Sequence, residues 1–179
     1  MTGKEILLLA LRNALTPRPA WVPFVGVHGG QLIGATASDY LRSADLIVKG
    51  LSEAVARYAP DGIPMVFDLQ LEAEAMGCEL AWADETPPAV KTHPLAGGGS
   101  LANLPPFDLT AGRLPIAFEV TRRMKAGVGD SVGIYGLVCG PFTLAMHLMG
   151  NDLFMQMYDH PDYVKAVVGY SASIGTKMA

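Results

Sequence analysis

Charge is scarce in this sequence: Asp, Glu, Lys and Arg together make up 17% of 179 residues, and no basic block occurs. With 13 basic and 17 acidic side chains the formal charge is −4. Phosphate binding needs clustered Lys and Arg, so nucleic acid is excluded as a main partner. The one adjacent basic pair, Arg122 and Arg123, lies in a helix-like stretch and is expected to be a solvated face. Cysteine is equally sparse. Two residues, Cys78 and Cys139, are too few for a disulfide framework in a chain of this length, and a reducing cytoplasm is the expected compartment. No apolar run reaches the eighteen or so residues a membrane span requires, so no membrane insertion is expected.

What is present points to a packed globular chain. Half of the residues are apolar, enough to offset the entropy of ordering the backbone, which a disordered chain cannot do. The start has an apolar run at 6–11, but Arg12 follows at once and no small-residue cleavage site succeeds it, unlike a secretory signal. Thr2 and Glu5 have instead the spacing of a capping box, and a helix is predicted over 4–14, stopped by Pro17 and Pro19.

Three short apolar segments rich in β-formers, at 21–27, 63–69 and 132–139, are predicted to be buried strands. Helical spacing covers 38–58 and 114–126, a short turn at 72–77 closes on Gly77, and Pro141 opens a helix to 148. Further helices are expected over 152–158 and from 161 onward. Gly26, Gly29 and Gly30 are expected to form a loop around His28. The Pro- and Gly-rich segment 86–106 is expected to be a long connecting loop of the kind that forms binding loops or lids. Strands alternating with helices, without a short hairpin signal, predict parallel β/α units.

Two segments carry a specific resemblance. Residues 66–78 contain the string Glu72-Ala73-Glu74-Ala75-Met76-Gly77, and residues 136–150 contain Gly140-Pro141-Phe142-Thr143-Leu144-Ala145. In this order they resemble the uroporphyrinogen decarboxylase superfamily, which also holds zinc-dependent methylcobamide:coenzyme M-type methyltransferases. The resemblance runs over nearly the whole chain and implies an α/β fold, the N-terminal part of a (β/α)₈ barrel with an extra N-terminal helix. Residues 1–179 would then be one incomplete barrel domain, because such a barrel typically needs about 250 residues.

The resemblance also bears on the branch. Decarboxylases of this family carry arginines after the first strand, which grip the carboxylates of a tetrapyrrole through paired guanidinium contacts. The corresponding stretch here, 25–31, holds no arginine. Asp68 has the spacing of the family's catalytic aspartate from Gly77, whereas His147 stands where the decarboxylase has a tyrosine. The Glu-Ala-Glu-Ala-Met-Gly-Cys string is closer to the methyltransferases, in which zinc binds the acceptor thiol and a corrinoid protein delivers the methyl group. Their zinc ligands, a His-x-Cys pair and a later Cys, have no counterpart in these residues, so no metal ligand is assigned.

Asp68, His28 and His147 are therefore the candidate catalytic residues. Each has a plainer alternative: Asp68 as a turn cap, His28 as an exposed loop histidine, His147 as a helix residue satisfied by backbone or solvent. One of Glu72 and Glu74 is a further candidate near the pocket, or both serve helix electrostatics. Cys78, Cys139, Trp21, Trp82 and the methionines 146, 149, 155 and 157 are expected to fill core or interface. The expected partners are a small-molecule substrate and a corrinoid protein. A half-barrel would also expose unpaired strand edges, which favours a homo-oligomer or a complementing chain. The functions open at this point are methyl transfer to a thiol or similar acceptor, uroporphyrinogen decarboxylation, and a non-catalytic half-barrel.

Overall fold

A computed structural model describes residues 1–179. The chain divides into two compact units. The first comprises Met1–Asp68, Ala83–Pro87 and Ile116–Leu137; the second comprises Leu69–Trp82, Pro88–Pro115 and Val138–Ala179.

In the first unit, α1 (Gly3–Leu11) opens on the expected capping box: the Thr2 hydroxyl accepts the Glu5 amide while the Glu5 carboxylate accepts that of Thr2. It stops before residue 14 because Arg12 leaves the helical region and Asn13 turns to φ 53°. Helices α2 (His28–Leu32), α3 (Ala37–Tyr40) and α4 (Ala44–Tyr58) follow. The single helix expected over 38–58 is broken at Ser43, whose hydroxyl accepts the Leu46 amide and starts α4 afresh. The loop expected around His28 is instead helical. Gly29 and Gly30 serve close packing there, since a Cβ on Gly29 would lie 2.3 Å from the Tyr40 hydroxyl and one on Gly50 2.4 Å from the Gly29 carbonyl oxygen.

Strand β1 (Gly62–Pro64) pairs in parallel with β4 (Gly133–Tyr135), Gly62 opposite Gly133 and Pro64 opposite Tyr135. The parallel pairing agrees with the β/α pattern, although each strand is shorter than its apolar run. Residues 21–27 form no strand. Their link to β1 is confined to Asp61, whose amide donates to the Trp21 carbonyl at 2.9 Å, and Pro23 removes a donor where a ladder would continue. Helix α6 (Leu114–Val128) precedes β4; Ser52 on α4 donates to the buried Met124 sulfur. Arg122 and Arg123 form exposed pairs with Glu119 and Asp45, as a solvated face should. Trp21 is 49% exposed and so does not belong to the core.

In the second unit, α5 (Leu71–Ala75) ends as predicted, Gly77 taking φ +91°. An antiparallel pair, β2 (Leu80–Ala81) with β3 (Ala89–Val90), was not predicted, being only two residues on each side. Helices α7 (Pro141–Met149), α8 (Asp152–Asp159) and α9 (Pro161–Met178) pack in succession. Their core joins Leu144, Leu148 and Met149 to Leu153, Val167 and Ile174, with Met76, Cys78, Leu95 and Cys139 added from the other segments. Met149 is fully buried, whereas Met155 and Met157 lie exposed on α8 and fill no core.

Candidate functional site

Sequence reasoning put forward Asp68, His28 and His147. Asp68 is 3% exposed and lies on the segment leading out of β1, directly before the turn into α5. His28 sits at the surface, at the start of α2. Its Nε2 lies 2.8 Å from the Tyr58 hydroxyl and its Nδ1 3.3 Å from Gln31 Oε1. The Gln31 oxygen can only accept, so Nδ1 carries the proton and a neutral ring then accepts the Tyr58 hydroxyl at Nε2. The two rings stack with centroids 5.9 Å apart, so Tyr58 fixes the plane of the imidazole as well as one of its nitrogens. The exposed loop histidine considered from sequence is therefore an exposed but oriented helix histidine.

His147 is buried on α7 in the second unit. Its carbonyl is in the last turn, where helix oxygens lack intrahelical donors, and two side chains reach it. His93 Nδ1 donates at 2.8 Å and the Cys78 thiol at 3.6 Å. Gly150 makes room for this contact, since a Cβ there would lie 2.7 Å from the His93 ring. His28 and Asp68 belong to the first unit and His147 to the second.

The second unit holds two carboxylate contacts built on the Glu-Ala-Glu-Ala string. Glu72 is 2% exposed, and its Oε1 accepts the Cys139 amide at 2.7 Å. Glu74 Oε2 accepts Arg113 Nε at 2.7 Å, and the Arg113 guanidinium lies 4.7 Å from the centre of the Trp82 ring. Stacking on an indole face and pairing with a carboxylate let a guanidinium be almost wholly buried while charged. Gly112, at φ +54°, turns the chain against Glu74, where a Cβ would come within 3.2 Å of Glu74 Cγ. Arg113 and Trp82 were not among the sequence candidates. The available signal was a Gly-Arg pair just ahead of a helix, but its partners lie 31 and 39 residues away.

Neither thiol is poised to react as a nucleophile. Burial pushes Cys78 up to about 11, and burial together with the charge of Glu72 pushes Cys139 up to about 12. Both are packing residues, as expected. No group of three or more His, Cys, Asp or Glu side chains is placed to hold a metal ion. The donors of residues 1–179 therefore do not fit the zinc that the resemblance implies.

The uroporphyrinogen decarboxylase (URO-D) family matches residues 2–179. A methylcobamide:CoM methyltransferase of Methanosarcina acetivorans is 25% identical over 182 residues, covering 99% of this chain and 54% of its own length. A uroporphyrinogen decarboxylase of Hyphomonas neptunium is 26% identical over 109 residues, covering 61% of this chain and 31% of its own. A solved methyltransferase from Methanosarcina mazei superposes on 97% of this chain and 53% of its own, with TM-score 0.87 and 23% identity. The fold is thus that of the N-terminal part of a (β/α)₈ barrel, as expected, and the chain spans about half the length of the curated methyltransferase it matches. With its parallel β1–β4 pair and its two sequence strings, the chain belongs to the uroporphyrinogen decarboxylase family.

Proposed function

We propose that this chain belongs to a methyltransferase that moves a methyl group from a cobamide to a thiol or similar small acceptor. The observation that carries this reading is the near-complete span of its match to a methylcobamide:CoM methyltransferase, against a partial span for the decarboxylase. The segment after Val25 supports it: α2 and its approach hold His28 and Gln31 but no arginine, the side chain suited to gripping a polycarboxylate.

In this reaction the carbon–cobalt bond breaks with both electrons left on cobalt, a carbon–sulfur bond forms, and the proton of the thiol passes to water. We assign Asp68 a place beside the reacting groups. It is buried beyond the C-terminal end of β1, the end at which β/α barrels build their active sites. His28 in the first unit is assigned as an oriented polar group, and His147 in the second unit is a separate candidate on α7. No metal ligand is assigned among residues 1–179, and a corrinoid protein is the methyl donor. A homo-oligomer or a complementing chain supplies the remaining strand partners.

The test supplies methylcobalamin and coenzyme M to the protein and follows the visible absorbance change as the methyl group leaves cobalt. Methyl transfer that falls at least about tenfold in Asp68→Asn, with the fold intact, is the expected result. No transfer, together with coproporphyrinogen formed from uroporphyrinogen, would overturn the reading.

A further inference from the structure

The start of α7 has an unusual construction. Its N-cap is Gly140, which has no side chain to accept a helix amide, and Pro141 occupies the first helical position. The helix therefore begins without a local side-chain cap, at the end of the segment that leaves β4. The residue before the cap is instead held by an acceptor from elsewhere in the second unit. Glu72, on α5 and 67 residues distant in sequence, places Oε1 2.7 Å from the Cys139 amide, immediately before the N-cap. Glu72 itself is only 2% exposed, and its chain neighbours Ala73 and Met76 are fully buried, as are Leu144 and Ala145 of α7.

A carboxylate in such surroundings carries a large desolvation cost, which a residue serving only to fill space would avoid. Its position relieves part of that cost, because the N-terminal end of a helix favours negative charge. The turn it holds is presented outward. Val138 is 38% exposed on one side of the buried Cys139 and Phe142 45% exposed on the other. In β/α barrels the segments leaving the strands contact the substrate.

We propose that Glu72 is a positioning residue: its carboxylate caps the β4–α7 turn from α5 and fixes the substrate-facing placement of Val138 and Phe142. The term substrate rests on the methyl-transfer reading, whereas the capping geometry does not.

The experiment measures amide hydrogen exchange by NMR in the full chain, for wild type, Glu72→Gln and Glu72→Ala. Gln keeps an acceptor oxygen at the same reach and Ala has none. The expected result is exchange at Cys139 about tenfold or more faster in Glu72→Ala, near wild type in Glu72→Gln, and unchanged at Val167 and Ser171 of α9 in both. Uniform acceleration throughout the second unit would mean a merely structural role and would overturn the proposal, as would unchanged exchange at Cys139. If Glu72→Ala does not fold, Glu72→Asp, one methylene too short to reach the amide, gives the same comparison. Turnover with methylcobalamin and coenzyme M is measured alongside: KM rises in Glu72→Ala and is restored in Glu72→Gln. Absence of turnover in the wild type counts against the methyl-transfer reading alone and leaves the exchange result to decide the cap.

Discussion

Replacing Gly50 by alanine tests the packing of the first unit at its tightest point. A Cβ at this position would lie 2.4 Å from the Gly29 carbonyl oxygen, 2.7 Å from the carbonyl carbon and 2.7 Å from Tyr40 Cε2. The closest of these is about 1 Å short of the roughly 3.5 Å at which non-bonded atoms meet comfortably. Neither neighbour can swing aside. One is the backbone of α2, and the other is a ring only 2% exposed. Overpacking of this kind costs roughly 1–3 kcal/mol, and the rigid neighbours place Gly50→Ala at the upper end. Alanine regains about 1 kcal/mol from helix propensity, so the net loss is about 2 kcal/mol. Gly127→Ala on α6 is the control, because its Cβ would meet nothing within 4 Å and only the propensity gain of up to about 1 kcal/mol remains. Urea unfolding read by tryptophan fluorescence separates the cases. The two tryptophans fall one in each unit, so in a Trp82→Phe background Trp21 reports on the first. The two variants should differ by about 3 kcal/mol with opposite signs. Equal stabilisation by both would refute the close approach of α2 and α4.

Stability at high pH follows from the thiols. Cys78 and Cys139 are held at about 11 and about 12 when folded, above the ordinary 9.0, so between these values the unfolded chain has lost protons that the folded chain keeps. Stability is intact below pH 9 and falls as pH rises past it, by about 1.4 kcal/mol per pH unit for each thiol. Cys139→Ala should remove about half of that slope between about pH 9 and 10 in urea titrations, and an unchanged slope would contradict the burial of this thiol. At the acid end, Asp61 accepts the Arg18 guanidinium and the Trp21 amide, and the Arg18 hydrogen bond holds its carboxyl below the usual range. Its contribution is present above its unfolded pKa and disappears as pH falls through the lowered folded value. Asp61→Asn should therefore flatten the acid limb of the stability curve, and an unaltered limb would refute the role of this pair. Arg113→Ala should shift and broaden the emission of Trp82 in a Trp21→Phe background, since the guanidinium 4.7 Å from the indole centre is lost, and an unaltered spectrum would contradict the stacking.

The features legible in the sequence are those decided within a few residues. The Thr2–Glu5 capping box, the Gly77 stop and the Pro141 start all appear where the spacing places them. The longer helices α4, α6 and α9 follow from apolar periodicity, because burial of one face and local propensity act together over three or more turns. What failed was decided by distant partners. Residues 21–27 have the composition of a strand but no ladder to join beyond Asp61. The β2–β3 pair has two residues a side, too few to show alternation. Gly29 and Gly30 have the composition of a loop, yet their small size answers to Tyr40 and Gly50, at most 21 residues away.

The site shows the same division. Asp68, His28 and His147 could be singled out by residue type and position along each element. The partners that orient His28 and cap His147 could not, because Tyr58 and His93 lie 30 and 54 residues away. Glu72 was visible as half of a string, but its role depends on an amide contributed by a different β/α segment.

The central claim, a cobamide-linked methyltransferase rather than a tetrapyrrole decarboxylase, is tested most directly by offering both reactions to one preparation. Methylcobalamin with coenzyme M and, separately, uroporphyrinogen are supplied to the protein, and products are identified by mass spectrometry. Methylated coenzyme M without coproporphyrinogen is the predicted result. Coproporphyrinogen without methylated coenzyme M would contradict the account.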